Sequence, residues 1–147
     1  MEWFENNNLK VIHVFHQYED FKWLDKLVKY QEYIGISPAN DITVKARIKW
    51  LDKVFHKIKA TRKTHGFGAT AKRILYRYPW FSCDSTSWKA PSIYGRSITI
   101  DFNKIGIINR KPTFWTKQQI GSEINRWKLL EKNATKIWKL REITWEN

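Results

Sequence analysis

At 147 residues, 42% hydrophobic and 16% aromatic, the chain is long enough for one domain with a genuine core and too apolar for wholesale disorder. Its net charge of +13 is uneven, since residues 1–44 hold 4 Lys and Arg against 7 Asp and Glu while residues 45–147 hold 23 against 7. Such a field draws polyanions, so nucleic acid is the natural partner; a membrane is not, because the chain has no apolar run of about eighteen residues and no single strongly basic amphipathic helix.

In chain order, Leu9-Lys10-Val11-Ile12-His13-Val14-Phe15 is short, β-branched and mostly apolar, the pattern of a strand buried in a parallel sheet. Asp20 then caps a helix with Phe21, Leu24, Leu27 and Val28 on one face. Tyr33-Ile34-Gly35-Ile36-Ser37 reads as a second strand, closed by Pro38. Asp41 or Thr43 caps the clearest helix, with Val44, Ile48, Leu51, Phe55 and Ile58 at helical spacing. A third strand runs over Lys63-Thr64-His65-Gly66-Phe67. Thr70 is the expected cap of a helix carrying Ile74, Leu75 and Tyr78 and stopped by Pro79, and Trp80-Phe81-Ser82-Cys83-Asp84 is a fourth strand.

After Gly95 the pattern changes. Ser97-Ile98-Thr99-Ile100-Asp101-Phe102 and Gly106-Ile107-Ile108 flank Asn103-Lys104 as a hairpin does, and from about Thr116 a long helix runs toward Leu140 with Ile120, Ile124, Trp127, Leu130 and Ile137 on one face. Four strands alternating with helices predict consecutive βαβ units. The expected fold is α/β, a partial (β/α) TIM-like barrel of four parallel strands, with a small hairpin and a long C-terminal helix added. Residues 1–95 would form the half-barrel, and residues 96–147 the flap and helix packed on the same domain.

The lone cysteine, Cys83, forbids an internal disulfide, and no Cys and His residues stand at zinc spacing, so neither a metal nor a cofactor is expected. The start Met1-Glu2-Trp3-Phe4-Glu5 lacks the features of a secretory signal and points to the cytoplasm. In parallel sheets the chemistry gathers at the carboxyl ends of the strands, which here read His16-Gln17, Gly35 to Ser37, His65 to Gly68 and Asp84 to Ser87.

Three stretches together resemble the C-terminal half of tRNA-guanine transglycosylases, most strongly the divergent phage versions that handle 7-deazaguanine. His16-Gln17-Tyr18-Glu19-Asp20-Phe21 is similar to a strand-end loop in which a Gln reads the purine. Tyr33-Ile34-Gly35-Ile36 looks like the strand that follows it. His65-Gly66-Phe67-Gly68-Ala69-Thr70, with Tyr78-Pro79-Trp80-Phe81-Ser82-Cys83-Asp84-Ser85-Thr86-Ser87-Trp88, looks like the last two strands. The resemblance implies pentosyl transfer: a carboxylate displaces guanine at C1′, and an incoming 7-deazaguanine displaces the carboxylate. It makes Asp84 the nucleophile, Gln17 the reader of the base edge, and Gly35 and Gly66 points of close backbone approach, with His65 and Ser87 also lining the substrate site. The family motif holds two Asp residues three apart, whereas here Ser87 stands in the second place. The family's zinc cluster and first four strands have no counterpart, and a closed barrel takes about 250 residues. The resemblance therefore implies a second copy or a partner chain to complete the barrel, and for a phage-encoded protein the host cytoplasm.

Nucleic acid itself would be met by basic residues, namely Arg62, Lys63, Lys72, Arg73, Arg77, Arg96, Arg110 and Lys111, with the loop residue Trp88 as a stacking surface and Trp115 as a second. Trp23, Trp50, Trp127 and Trp138 fall in predicted helices, where packing is the ordinary role. The alternative to an enzyme is a non-catalytic nucleic-acid-binding protein derived from the same fold.

Overall fold

A computed structural model describes residues 4, 6–7, 9–89, 93–101, 104–109 and 116–145. The elements follow the order β1 (His13–His16), α1 (Phe21–Tyr30), β2 (Tyr33–Ser37), α2 (Val44–Ile58), β3 (Lys63–Phe67), α3 (Lys72–Leu75) and β4 (Ser82–Asp84), then a 3-10 turn (Thr86–Lys89), β5 (Arg96–Asp101), β6 (Lys104–Asn109) and α4 (Lys117–Leu140). They divide into two compact units, residues 1–69 with 78–84 and residues 70–77 with 85–147.

The first unit is a four-stranded sheet in the order β1-β2-β3-β4, every neighbouring pair parallel. The chain is thus of the α/β class with a parallel sheet, as the alternating pattern requires. β1 is shorter than its apolar run because its register begins at His13 against Ile34, one step into β2; Leu9, Val11 and Ile12 stay exposed.

Both helices of this unit start at side-chain caps. Asp20 Oδ1 accepts the Lys22 amide at 2.9 Å, and hydrogen bonds from the backbone and side chain of Lys22 hold the Asp20 carboxyl below the usual carboxylate range. Thr43, rather than Asp41, caps α2, its hydroxyl accepting from the Ala46 amide at 3.2 Å. α2 presents Trp50, Leu51, Val54 and Ile58 to the core and leaves Val44 exposed, a face rotated from the predicted one. The rotation has a partner: the Trp50 ring stacks on Phe15 of β1 at 5.6 Å, and Phe15 meets Phe21 of α1 edge-on at 5.4 Å. Phe15, Leu24, Ile34, Ile36, Leu51, Val54 and Ile58 are fully buried. At about 1.5–3 kcal/mol per large apolar side chain, this cluster is the main stabilising element of the unit.

Tyr78 also belongs to this core and not to a helix. Its ring stacks on Phe55 at 4.7 Å, and its hydroxyl lies 2.9 Å from the Ile48 carbonyl and 2.8 Å from Asp52 Oδ1. The predicted helix through Tyr78 is cut to the four residues of α3, which starts after Ala71 without a side-chain cap from Thr70. Pro79 keeps the helix from running through Tyr78, because the residue before a proline is pushed out of helical geometry.

In the second unit β5 and β6 pair antiparallel from Arg96 opposite Asn109 to Asp101 opposite Lys104, as the hairpin pattern predicts. α4 opens with a reciprocal capping box between Thr116 and Gln119. It buries Leu130 and, unforeseen from the sequence, Glu123, whose carboxylate meets Arg126 at 2.8 Å; Ile124 is left exposed. At its far end the Trp138 indole donates to the Leu75 carbonyl and the Arg141 guanidinium to the Tyr76 carbonyl, satisfying groups released where α3 ends. Among the described residues no helix is long and apolar enough to cross a membrane.

Candidate active site at the carboxyl end of the sheet

The strand registers put the rim residues at one level. His16 pairs with Ser37, Ile36 with Gly66, and Phe67 with Asp84, so His16, Ser37, Phe67 and Asp84 form the last layer of the sheet. One layer below on the same face stand Val14, Gly35, His65 and Ser82. The intervening residues Phe15, Ile36, Gly66 and Cys83 project from the other face, toward the helices that cover Phe15.

Asp84 ends β4 with its side chain 62% exposed. Its Oδ1 accepts the Gly68 amide at 3.2 Å and lies 3.6 Å from His65 Nε2. Gly68 has φ +60, a left-handed backbone conformation that a side chain would strain. His65 is largely buried, with 17% of its side chain exposed. Its Nδ1 is 2.7 Å from Ser82 Oγ, which is 2.6 Å from the Tyr33 hydroxyl. Tyr33, Ser82 and His65 therefore form one hydrogen-bonded chain across β2, β4 and β3, with the Asp84 carboxylate 3.6 Å beyond its end. The Phe67 ring sits edge-to-face on His65 with centroids 4.5 Å apart and closes one side of it.

The two glycines singled out from the sequence sit where side chains of the chain itself crowd in. A Cβ on Gly35 would meet Phe67 Cε2 and Val14 Cγ2, each at 2.9 Å; one on Gly66 would meet Ala69 Cβ at 2.7 Å, with Cys83 Sγ and Trp80 Cε3 at 3.0 Å. Gly35 lets the Phe67 ring lie down beside His65, and Gly66 lets β3 pack against the segment entering β4. Cys83 shares that crowded space, and burial pushes its thiol up to about 12, far from a reactive thiolate.

Gln17 follows β1 at the opposite edge of the sheet. Its amide continues the ladder to the Ser37 carbonyl, and its Oε1 accepts the Ala39 amide at 3.0 Å, leaving the side-chain Nε2 as the group to present to a ligand. Three inter-strand spacings put the ends of β1 and β4 about 14 Å apart along the sheet, a gap that a nucleoside held between two side chains spans. Between Gln17 and Glu19, Tyr18 is 73% exposed with φ 82, while Glu19 Oε2 accepts the His16 amide at 2.7 Å. A non-glycine residue held there by its neighbours is a strained rim feature that no sequence pattern announces. Ser87 lies in the 3-10 turn of the second unit, its hydroxyl 2.6 Å from that of Ser85.

Of the basic residues, Arg62 and Lys63 belong to the first unit and Lys72, Arg73, Arg77 and Arg96 to the second. Arg62 and Lys63 stand at the amino end of β3, the far end of the strand from Gly68: Arg62 donates to the Val28 and Thr61 carbonyls, and the Lys63 ammonium lies over the Phe81 ring at 4.7 Å. Lys72, Arg73 and Arg77 are exposed in the second unit, the first two in α3 and Arg77 beyond its end at Leu75. Arg96 is in β5 and Trp88 in the 3-10 turn; Arg110, Lys111 and Trp115 lie outside the described residues. Of the helical tryptophans, Trp50 is core, whereas Trp23 is half exposed with the Lys22 and Lys26 ammonium groups 5.7 Å above its ring.

The residues that sequence reasoning missed are Tyr33 and Ser82. Their alternation with Gly35 and Asp84 puts them on one face, but only the inter-strand register brings them to His65. Among the described residues no group of three or more His, Cys, Asp or Glu side chains is placed to hold a metal ion. Comparison with known protein families, with curated proteins and with solved structures yields no match for this chain.

Proposed function

We propose that the chain is a transglycosylase-like protein that exchanges guanine for a 7-deazaguanine in nucleic acid, with Asp84 as the nucleophile. The observation that carries this reading is Asp84 itself, an exposed carboxylate at the carboxyl end of an outer parallel strand, anchored through one oxygen by the Gly68 amide and facing His65. A carboxylate suits displacement at C1′ because it stabilises the oxocarbenium character that develops there and then forms the covalent glycosyl intermediate. Gln17 serves as the base reader, through its Nε2 amide to an acceptor on the purine edge.

In this reading the four-stranded sheet is part of a (β/α) barrel. No described strand pairs with the outer edge of β1 or β4, and unpaired edges invite another strand. A second copy of the chain or a partner polypeptide supplies the remaining strands, and light scattering at micromolar concentration should then report a dimer or larger species. The basic residues supply affinity for the phosphate backbone, so binding should weaken steeply with salt, by about 1,000-fold or more between 50 and 200 mM if some six phosphates are contacted.

The test is exchange of labelled 7-deazaguanine into guanine-containing tRNA or DNA, with trapping of the glycosyl adduct. Asp84→Asn should abolish label incorporation and adduct while leaving salt-sensitive binding intact, and Gln17→Ala should weaken base selection by about 1–3 kcal/mol. Exchange that survives Asp84→Asn would remove Asp84 from the chemistry. Salt-sensitive binding with no exchange under any condition would favour a non-catalytic nucleic-acid-binding protein.

A further inference from the structure

The chain Tyr33–Ser82–His65–Asp84 has a direction fixed by its last member. A carboxylate 3.6 Å from Nε2 repels an imidazole lone pair and attracts an N–H, so His65 carries its proton on Nε2 when neutral. Nδ1 is then an acceptor; the Ser82 hydroxyl must donate to it, and the Tyr33 hydroxyl must in turn donate to Ser82 Oγ. Each link has one donor and one acceptor, and no proton is left over. The separation of 3.6 Å exceeds a hydrogen bond, and catalytic contacts of this kind tighten when substrate is seated.

We propose that His65 is the positioning residue for Asp84: His65 Nε2–H and the Gly68 amide both address Oδ1, which leaves Oδ2 as the attacking oxygen. The claim rests on Asp84 being the nucleophile and goes beyond it by assigning the orientation of that nucleophile to an imidazole whose other nitrogen is held by Ser82. Two donors on one oxygen fix the plane of the carboxylate, which otherwise rotates freely at 62% exposure. Ser82 and Tyr33 act through His65. In the step itself Oδ2 bonds to C1′, the C1′–N bond to guanine breaks, and its electron pair leaves with the base; when the second base attacks, the C1′–Oδ2 bond breaks and the carboxylate is restored. The departing guanine takes up a proton from solvent and the incoming 7-deazaguanine releases its N9 proton to solvent, so the exchange balances with no proton drawn from His65.

The experiment has two arms on the full chain. In the first, ¹⁵N-labelled histidine and two-bond correlation spectra at about pH 8 report the imidazole tautomers, with His65 among the 4 histidines assigned by its loss in His65→Gln. The wild type should show Nε2–H for His65, and Ser82→Ala should move it toward a mixture; a dominant Nδ1–H form in the wild type overturns the proposal. In the second, single-turnover formation of the glycosyl adduct should fall about 100-fold in His65→Leu with substrate affinity unchanged, and recover in part in His65→Gln, whose amide returns an N–H near the Nε2 position. An unchanged rate in His65→Leu also overturns it. If the wild type forms no adduct, the exchange reading fails by itself, and the tautomer arm still decides whether His65 addresses Asp84 as described.

Discussion

The two faces of the four-stranded sheet are built by the same strands and have opposite characters. The face toward the helices carries Phe15, Ile34, Ile36, Thr64 and Gly66, all buried, and is closed by α1 and α2. The other face carries Val14, Tyr33, His65, Phe67, Ser82 and Asp84, which are half-buried or exposed, and among them Tyr33, Ser82 and His65 are joined by hydrogen bonds. A strand with period-two alternation keeps a packing surface and a polar surface independent, because substitutions on one do not point at the other. The contrast teaches where stability resides and where chemistry can vary: the covered face carries the folding free energy, and the polar face is free to hold groups that an apolar core would exclude.

The largest expected effect is on the covered face. Phe15 is fully buried and touches both Phe21 and Trp50, so Phe15→Ala should lower the unfolding free energy by about 3–5 kcal/mol in urea titrations. Gly66→Ala tests the same face from the opposite direction. Its new Cβ would stand 2.7 Å from Ala69 Cβ, a contact between two short groups that cannot swing aside, and about 1–3 kcal/mol should be lost to overpacking. If either variant were as stable as the wild type, the assignment of the core to this face would be wrong.

How much of this was legible in the sequence follows from what each feature depends on. β2 and β3 were readable in full because alternation and flanking Pro38 and Gly68 are local. The cap at Asp20, and the choice of Asp41 or Thr43 for α2, were readable for the same reason. The inward face of α2 was not: Trp50 and Val54 point inward because Phe15 offers a ring to stack on, a fact about β1. α3 was overestimated because Ile74, Leu75 and Tyr78 fit a helical spacing, whereas Tyr78 is claimed by Phe55, Ile48 and Asp52 of α2. The burial of Glu123 with Arg126 breaks the hydrophobic pattern and could not be anticipated from it. In the candidate site Asp84, His65 and Gln17 were singled out by motif, yet the relay through Ser82 and Tyr33 depends on the register of three strands. No single segment encodes that register.

A smaller effect sharpens the contrast through pH. The Cys83 thiol projects toward the crowded face, and burial raises it from an ordinary thiol value of 9.0 to about 12. Between these values the unfolded chain loses the thiol proton and the native chain keeps it. The native state then binds more protons, and stability falls as pH rises. The contribution is fully present below about pH 9 and is lost progressively toward pH 12. Comparing wild type with Cys83→Ala isolates this slope from the Lys and Tyr residues that titrate in the same range. The wild type should lose stability relative to the variant across the window, and parallel curves would mean that Cys83 is accessible to solvent.

The smallest expected effect belongs to the polar face and tests its independence most directly. Tyr33→Phe removes one hydroxyl from the relay and keeps the ring, which packs edge-on against Phe81 at 5.5 Å. A single intramolecular hydrogen bond contributes about 0.5–1.5 kcal/mol net, and Ser82 keeps His65 as a second partner, so the loss should sit at the low end of that range. A loss comparable to that of Phe15→Ala would mean that Tyr33 is a core residue and that the polar face is as tightly specified as the covered one. Near-wild-type stability together with a disturbed His65 tautomer would instead separate the two properties, because the relay would then orient a side chain without holding the fold. That separation is what a site on one face of a sheet requires: its geometry can be altered by a single hydroxyl on β2 while the packing of Phe15, Ile34 and Ile36 behind it stays as it is.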